Sequence, residues 1–387
     1  MTVPPQGPYG SQPSGGGGPQ WGGPPPQGPG AQPPYGPPGG QWPQQPWGAQ
    51  QPPNKGGKGK WILVGLALVA IIAVSIVGTV LVLRPDSGGG NGQQSNTANG
   101  GSEFASANDT GPANIITEDP TCEAWVKIAH NMDAAAPDWN KQDYSIPASE
   151  WTSEQKSVFE KKSAALADAI TKSSNLAKQT PHRVMRELYG QYIAYAQAVI
   201  DSIPNYSSGD DNIVGASNQF FSALNRLCDA IHYRAAQQTA PLIPVPSPPS
   251  DIQALNGESA LVSERFLNGG KADNSVCADW IAAAERFDND TKDWRDIDSK
   301  LSATEWTPDQ KTVMDAVVPV MTAYADDMER LGRKSGNPVW EDFAVMTSQY
   351  LRAYIETIPT YSVSSGYLAS VSTRLANAIY WACKAES

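Results

Sequence analysis

The chain has 387 residues, with 28 basic and 39 acidic side chains and a formal net charge of −11. That acidic balance argues against binding nucleic acid or anionic lipid through bulk charge. The length allows two or three domains, and the composition is too uneven for its average to describe any one of them.

Residues 1–54 contain no Asp, Glu, Lys or Arg and consist mostly of Pro, Gly and Gln, with Tyr9, Trp21, Tyr35, Trp42 and Trp47 interspersed. With almost no aliphatic side chains to bury, such a segment cannot offset its ordering entropy, which predicts a disordered tail with polyproline II character. Its aromatics are candidates for weak self-association or for docking a partner; the plainer reading is a passive spacer. Lys55, Lys58 and Lys60 then precede the uncharged apolar run 61–83. At ~1.5 Å per residue this run exceeds the ~30 Å of a bilayer core. The expectation is a transmembrane helix within 55–84. The lysines before it predict a cytoplasmic N-terminus and an extracytoplasmic C-terminal region, a single-pass protein of the cell membrane. Residues 85–117, rich in Gly, Ser and Asn, predict a flexible stalk.

Beyond the stalk the chain is duplicated. Cys122, Trp125, Trp139, Trp151, Pro204, Tyr206 and Cys228 recur 155 positions later as Cys277, Trp280, Trp294, Trp306, Pro359, Tyr361 and Cys383. We read 118–235 as copy one, 236–274 as a Pro-rich linker and 275–387 as copy two. The linker contains PLIPVPSPP, which predicts extended chain, and DIQALNGESALVSERF at 251–266, read as a short helix.

Each copy reads as four helices. A first helix starts near Cys122 and near Cys277. Thr152 to Gln155 and Thr307 to Gln310 have the form of a capping box, with Pro308 at the first helical position of the second. Met314, Val317, Val318, Met321, Tyr324, Met328 and Leu331 then recur at helical period, with Pro319 expected to kink or break the helix. Third helices are expected from Thr180-Pro181 and Asn337-Pro338, ending at Ile-Pro-x-Tyr in both copies, and fourth helices run toward Cys228 and Cys383. The fold class is therefore all-α, two tandem disulfide-stapled four-helix bundles outside the membrane. Four cysteines allow three connectivities. In an up-down-up-down bundle the start of helix one and the end of helix four lie at the same end, which favours Cys122–Cys228 and Cys277–Cys383. Paired cysteines suit an oxidising compartment.

Chemistry is harder to find. The three histidines, His130, His182 and His232, do not recur in the second copy and have no metal-ligand spacing. Asp288, Asp290, Asp293, Asp296 and Asp298 form an acidic cluster, but the spacing does not fit a calcium loop; solvated, helix-capping aspartates are the simpler reading. No cofactor fingerprint is present. The most distinctive shared feature is the Asp-Trp and Glu-Trp pairs, which make Trp139, Trp151, Trp294 and Trp306 the candidate lining of a binding groove. The plainer reading is that these tryptophans fix a long loop onto each bundle.

The uncharged P/G/Q/Y/W tail, the KGGKGKW entry to the apolar run and the Gly/Ser segment before a cysteine-stapled domain resemble the proline/glycine-rich single-pass membrane proteins of actinobacteria, particularly mycobacteria. The resemblance implies a compartment and no activity. The favoured expectation is a non-enzymatic cell-envelope protein whose duplicated domain binds or scaffolds an unknown envelope protein or ligand, with no nucleic acid and no cofactor. The alternatives are a signalling receptor-like protein with a partner-recruiting tail and a hydrolase using carboxylates.

Overall fold

A computed structural model describes residues 103–252, 264–267 and 274–386. The helices of copy one are α1 (Cys122–Ala135), α2 (Ser153–Gln179), α3 (Arg183–Ser202) and α4 (Asp211–His232), followed by a short α5 (Ala235–Thr239). Copy two contains α6 (Asn274–Asp290), a single turn α7 (Lys292–Arg295), α8 (Pro308–Lys334), α9 (Pro338–Thr357) and α10 (Gly366–Ala385). The described residues are all-α, and the second, third and fourth long helices of the two copies start 155 positions apart.

Local chemistry sets the boundaries. In α2 the Thr152 hydroxyl accepts from Gln155 N at 3.2 Å while Gln155 Oε1 accepts from Thr152 N at 3.0 Å, and Thr307 with Gln310 repeats both bonds at the start of α8. Two orphan donors are satisfied reciprocally at each start. Helix α8 runs through Pro319 without a break. Helix α9 starts at Pro338, with the Asn337 side chain accepting from Trp340 N at 3.0 Å. Helix α3 starts two residues later than Thr180-Pro181 suggests. Thr180 donates its hydroxyl to Asp119 Oδ2 instead of capping the helix, and Arg183 N donates to Asp109 Oδ2 at 2.7 Å. A carboxylate 74 residues away in sequence thus serves the first turn.

Cys122 is bonded to Cys228 and Cys277 to Cys383, each with Cα atoms 5.3 Å apart, and no other cysteine is present. Trp125 and Trp280, both fully buried, anchor the first helices; their indole N–H groups donate to Asn225 Oδ1 at 2.7 Å and to Ala376 O at 3.1 Å.

The two copies do not hang from a linker as separate bundles. Their cores merge into one continuous hydrophobic cluster, and the most extensive helix pairing among the described residues joins α4 of copy one to α10 of copy two. Gly215 on α4 lets the two helices approach: a Cβ there would lie 2.6 Å from the Trp381 ring. Phe220 meets Phe343 at 5.7 Å, Tyr233 stacks on Tyr367 at 4.8 Å, and Tyr350 Oη accepts from Ile116 N at 3.2 Å. Phe266, from the short described piece of the linker, sits against Phe220, Phe343 and Trp340. Gln191 and Asn337 side chains hold its backbone N–H and C=O at 2.9 and 2.7 Å.

Polar side chains also cross the interface. Arg183 donates to both oxygens of Asp342, at 2.8 and 3.0 Å, and to the carbonyls of Asp109 and Gly111. Glu187 lies 3.6 Å from the same guanidinium. Burial, and then the neighbouring Asp342 carboxylate, hold the Glu187 carboxyl well above the usual carboxylate range.

Two expectations are corrected. No helix among the described residues is long and apolar enough to cross a membrane. The transmembrane helix, the single-pass arrangement and the cell-membrane placement are therefore not carried forward; the run 61–83 on which they were read, like the tail 1–54, lies outside the described residues. The flexible stalk expected over 85–117 is also not seen in its described part, from Phe104 onward. Phe104, Ala113, Ile115 and Ile116 are buried, and Ala105 N donates to Lys178 O at 2.9 Å, so the segment from Phe104 onward packs on the helices. The helix expected at 251–266 lies mostly outside the described residues.

Candidate functional site

The candidate tryptophans sit on the loop between the first and second long helices of each copy. The Ile-Pro-x-Tyr motif explains how that loop is held. Tyr206 Oη donates to Tyr144 O at 2.8 Å and Tyr206 O accepts from Ala148 N at 2.8 Å. Tyr361 repeats both bonds, to Ser299 O at 2.8 Å and from Ala303 N at 2.9 Å. The motif ends a helix and then struts the tryptophan loop. Burial pushes the Tyr361 phenol up to about 12, so it stays a neutral donor.

On this shared frame the two copies differ. In copy one the space is filled. Trp151 stacks on Phe159 at 3.9 Å and donates Nε1–H to Ile146 O at 2.9 Å. Trp139 packs against Phe159 at 5.0 Å and Tyr144 at 4.8 Å, donates to Asn218 Oδ1 at 3.2 Å, and accepts the Tyr144 hydroxyl at its carbonyl at 2.8 Å. Both indoles are satisfied. Lys162 Nζ lies 5.2 Å from the Trp139 ring centre, and burial lowers its pKa to about 8.

In copy two, Tyr144 is replaced by Ser299, Phe159 by Met314, Asp211 by Gly366 and Val214 by Ala369. The smaller side chains border a small recess of about 20 Å³, partly open to solvent, walled by Trp294, Trp306, Ile297, Met314, Tyr354 and Tyr361, with Asp298 and Ser299 also in its lining. Tyr354, in place of Val199, restores one ring and accepts from Trp294 Nε1 at 3.0 Å. Trp306 stacks on Tyr361 at 5.5 Å and is 6% exposed, yet its indole N–H is buried with no acceptor. An unsatisfied buried donor costs ~1–3 kcal/mol, and the indole N–H groups of Trp340 and Trp381, outside this recess, are likewise without an acceptor.

The structure thus brings Trp139 with Trp151 around Phe159, and Trp294 with Trp306 in the wall of one recess. The paired acids serve the loops: Asp138 bonds Lys141 at 2.8 Å, and Glu305 accepts from Ser302 N and Oγ at 2.8 and 2.6 Å. Asp288 pairs with Arg295 at 2.9 Å, and among the described residues no group of His, Cys, Asp or Glu is placed to hold a metal ion. Sequence reasoning missed the Arg183, Glu187 and Asp342 cluster. The signal was available, since Arg186 and Glu187 stand where copy two has Glu341 and Asp342.

A family model described as mycobacterial ESX-1 associated protein matches residues 104–387, both copies together. The chain belongs to the mycobacterial ESX-1 associated family. The matched region begins at Phe104, which is buried against the helices. A relative, an uncharacterized protein of Mycolicibacterium smegmatis (strain MKD8), is 37% identical over 351 residues, covering 89% of this chain and 91% of its own length. No solved structure matches.

Proposed function

We propose that this chain is a binding and scaffolding module that serves the ESX-1 association for which its family is named. The observation that carries the reading is the asymmetry of the duplicated site. One copy fills its aromatic slot with its own side chains; the other keeps the same frame with smaller side chains, a recess of about 20 Å³ and an unsatisfied indole N–H. The merged core supports the scaffolding part, because it joins both copies into one body. Glu187 and Asp342, the carboxylates with raised pKa values at the interface, are buried against Arg183, so they lend the hydrolase reading no support.

The test is photocrosslinking in mycobacterial cells, with a benzoyl-phenylalanine at Lys300 beside the recess and, as control, at Lys127 on α1 of copy one. The expected outcome is a discrete adduct with an ESX-1 protein at Lys300 only. Equal adducts at both positions, or none at Lys300, would sink the reading.

A further inference from the structure

The two copies meet around an internal two-fold. Helices α4 and α10, which are equivalent in the duplication, pair with each other, and Arg374 Nη1 donates to Gln219 Oε1 at 3.4 Å. These positions are 155 residues apart, so each meets its own counterpart, as a residue on the axis of an isologous interface does. Glu187 on α3 and Asp342 on α9 are 155 apart as well. Both lie against Arg183 Nε, Asp342 at 2.8 Å and Glu187 at 3.6 Å, with side chains only 1% and 2% exposed. The two-fold thus brings one acid onto another in the interior, where two carboxylates do not readily ionise together. The hydrogen bonds decide which one keeps its charge. Both Asp342 oxygens accept from Arg183, whereas neither Glu187 oxygen receives an N–H or hydroxyl donor. Glu187 is therefore the neutral acid, and Asp342 is the acceptor that its O–H faces. The other charged groups facing the pair are Arg186 on the same helix, Asp109 from the segment before α1 and Glu341 on α9. Glu341 is matched by Arg333 of α8 at 2.7 Å, and Arg186 donates to Ser106 Oγ at 3.1 Å. That leaves the guanidiniums of Arg183 and Arg186 facing the carboxyls of Asp109, Glu187 and Asp342, a set that one proton brings to balance.

We infer that one proton, carried by Glu187 and shared with Asp342, joins copy one to copy two across this two-fold, and that the pairing of the copies weakens when the proton leaves. On leaving, it passes to solvent and strands two carboxylates on the Arg183 guanidinium. Burial, and then Asp342, raise the Glu187 carboxyl in the folded chain above its unfolded value. The stability drawn from this contact is therefore full in acid, below the ordinary glutamate range, and is lost as pH rises toward the folded value.

The test uses the full chain with its glutamates labelled with 13C at the side-chain carboxyl and titrated by NMR. The Glu187 resonance is identified by its loss in Glu187→Gln, which keeps an N–H donor for Asp342 and cannot ionise. It is expected to titrate at least about one pH unit above the surface glutamates. In Asp342→Asn, which removes the facing carboxylate, it is expected to move back toward them. Between about pH 5 and about pH 8 the unaltered protein is expected to lose about 3 °C or more of melting temperature relative to Glu187→Gln. A Glu187 carboxyl that titrates with the surface glutamates overturns the inference. A titration unchanged in Asp342→Asn shows that burial alone holds the proton and overturns the sharing. A melting difference that stays constant with pH overturns the link to the pairing of the copies. If Glu187→Gln does not fold, the unaltered protein still decides: one glutamate resonance must lag behind the rest, and the absence of any such resonance overturns the inference.

Discussion

Lys162 shows how a residue that does not recur in the second copy shapes the site. It is 5% exposed, and its amine lies 5.2 Å from the Trp139 ring centre and 5.9 Å from that of Phe221. Copy two has Val317 there. The facing groups are Asp133, with one oxygen buried and unpartnered, and through it His130. Burial lowers the Lys162 pKa from 10.5 to about 8, with Asp133 opposing that shift. Between those values the unfolded chain binds more protons than the folded one, so stability rises with pH across the window, and the cost of the buried charge is full below about pH 8. Lys162→Met should therefore raise stability below pH 8 by ~1–3 kcal/mol, with the advantage shrinking toward pH 10.5. Thermal melts of both proteins from pH 6 to pH 10 check this; a constant difference across that range would refute it.

Element boundaries were legible where the partners are local. The capping boxes at Thr152 and Thr307 need only residues three positions apart, and they form as read. The start of α3 was misread because its partner, Asp109, is remote in sequence and lay in a segment rich in Gly, Ser and Asn. The pairing of α4 with α10 was invisible for the same reason. Gly215 is one small residue in a helix, and only the fold reveals that Trp381 occupies the space beside it. Gly215→Ala should cost ~1–3 kcal/mol in chemical denaturation, since an overpacked contact must shift one helix or the indole. Gly209→Ala, whose Cβ would come no closer than 3.8 Å to Ser207 Oγ, serves as control and should be near neutral. If the two variants unfold alike, the close approach is not what holds α4 to α10.

At the scale of the molecule, the duplication was legible and its consequence was not. Comparing copies draws attention to what they share, such as the cysteines, the tryptophans and the strut tyrosines. The recess arises from what they do not share: Tyr144 against Ser299, Phe159 against Met314. Those differences stood in the sequence, but their meaning depends on knowing that all four positions face one space. The merged core carries its own prediction. Two independent bundles would melt separately, whereas one core should give a single cooperative transition of the helical body by calorimetry. Phe343→Ala, made in copy two alone, should lower that one transition as a whole. Two resolved transitions would refute the merged core.

The disulfides have a mechanical consequence. Each closes a loop with a sequence separation of 106 and holds its ends 5.3 Å apart. Fully drawn out, such a loop would span ~350–380 Å at ~3.3–3.6 Å per residue. A pull applied along the chain, from before Cys122 to after Cys383, bypasses both loops through the sulfur bridges. The load then falls on the connection between Cys228 and Cys277, and the helices that build the aromatic recess, with the loops that carry its tryptophans, bear none of the tension directly.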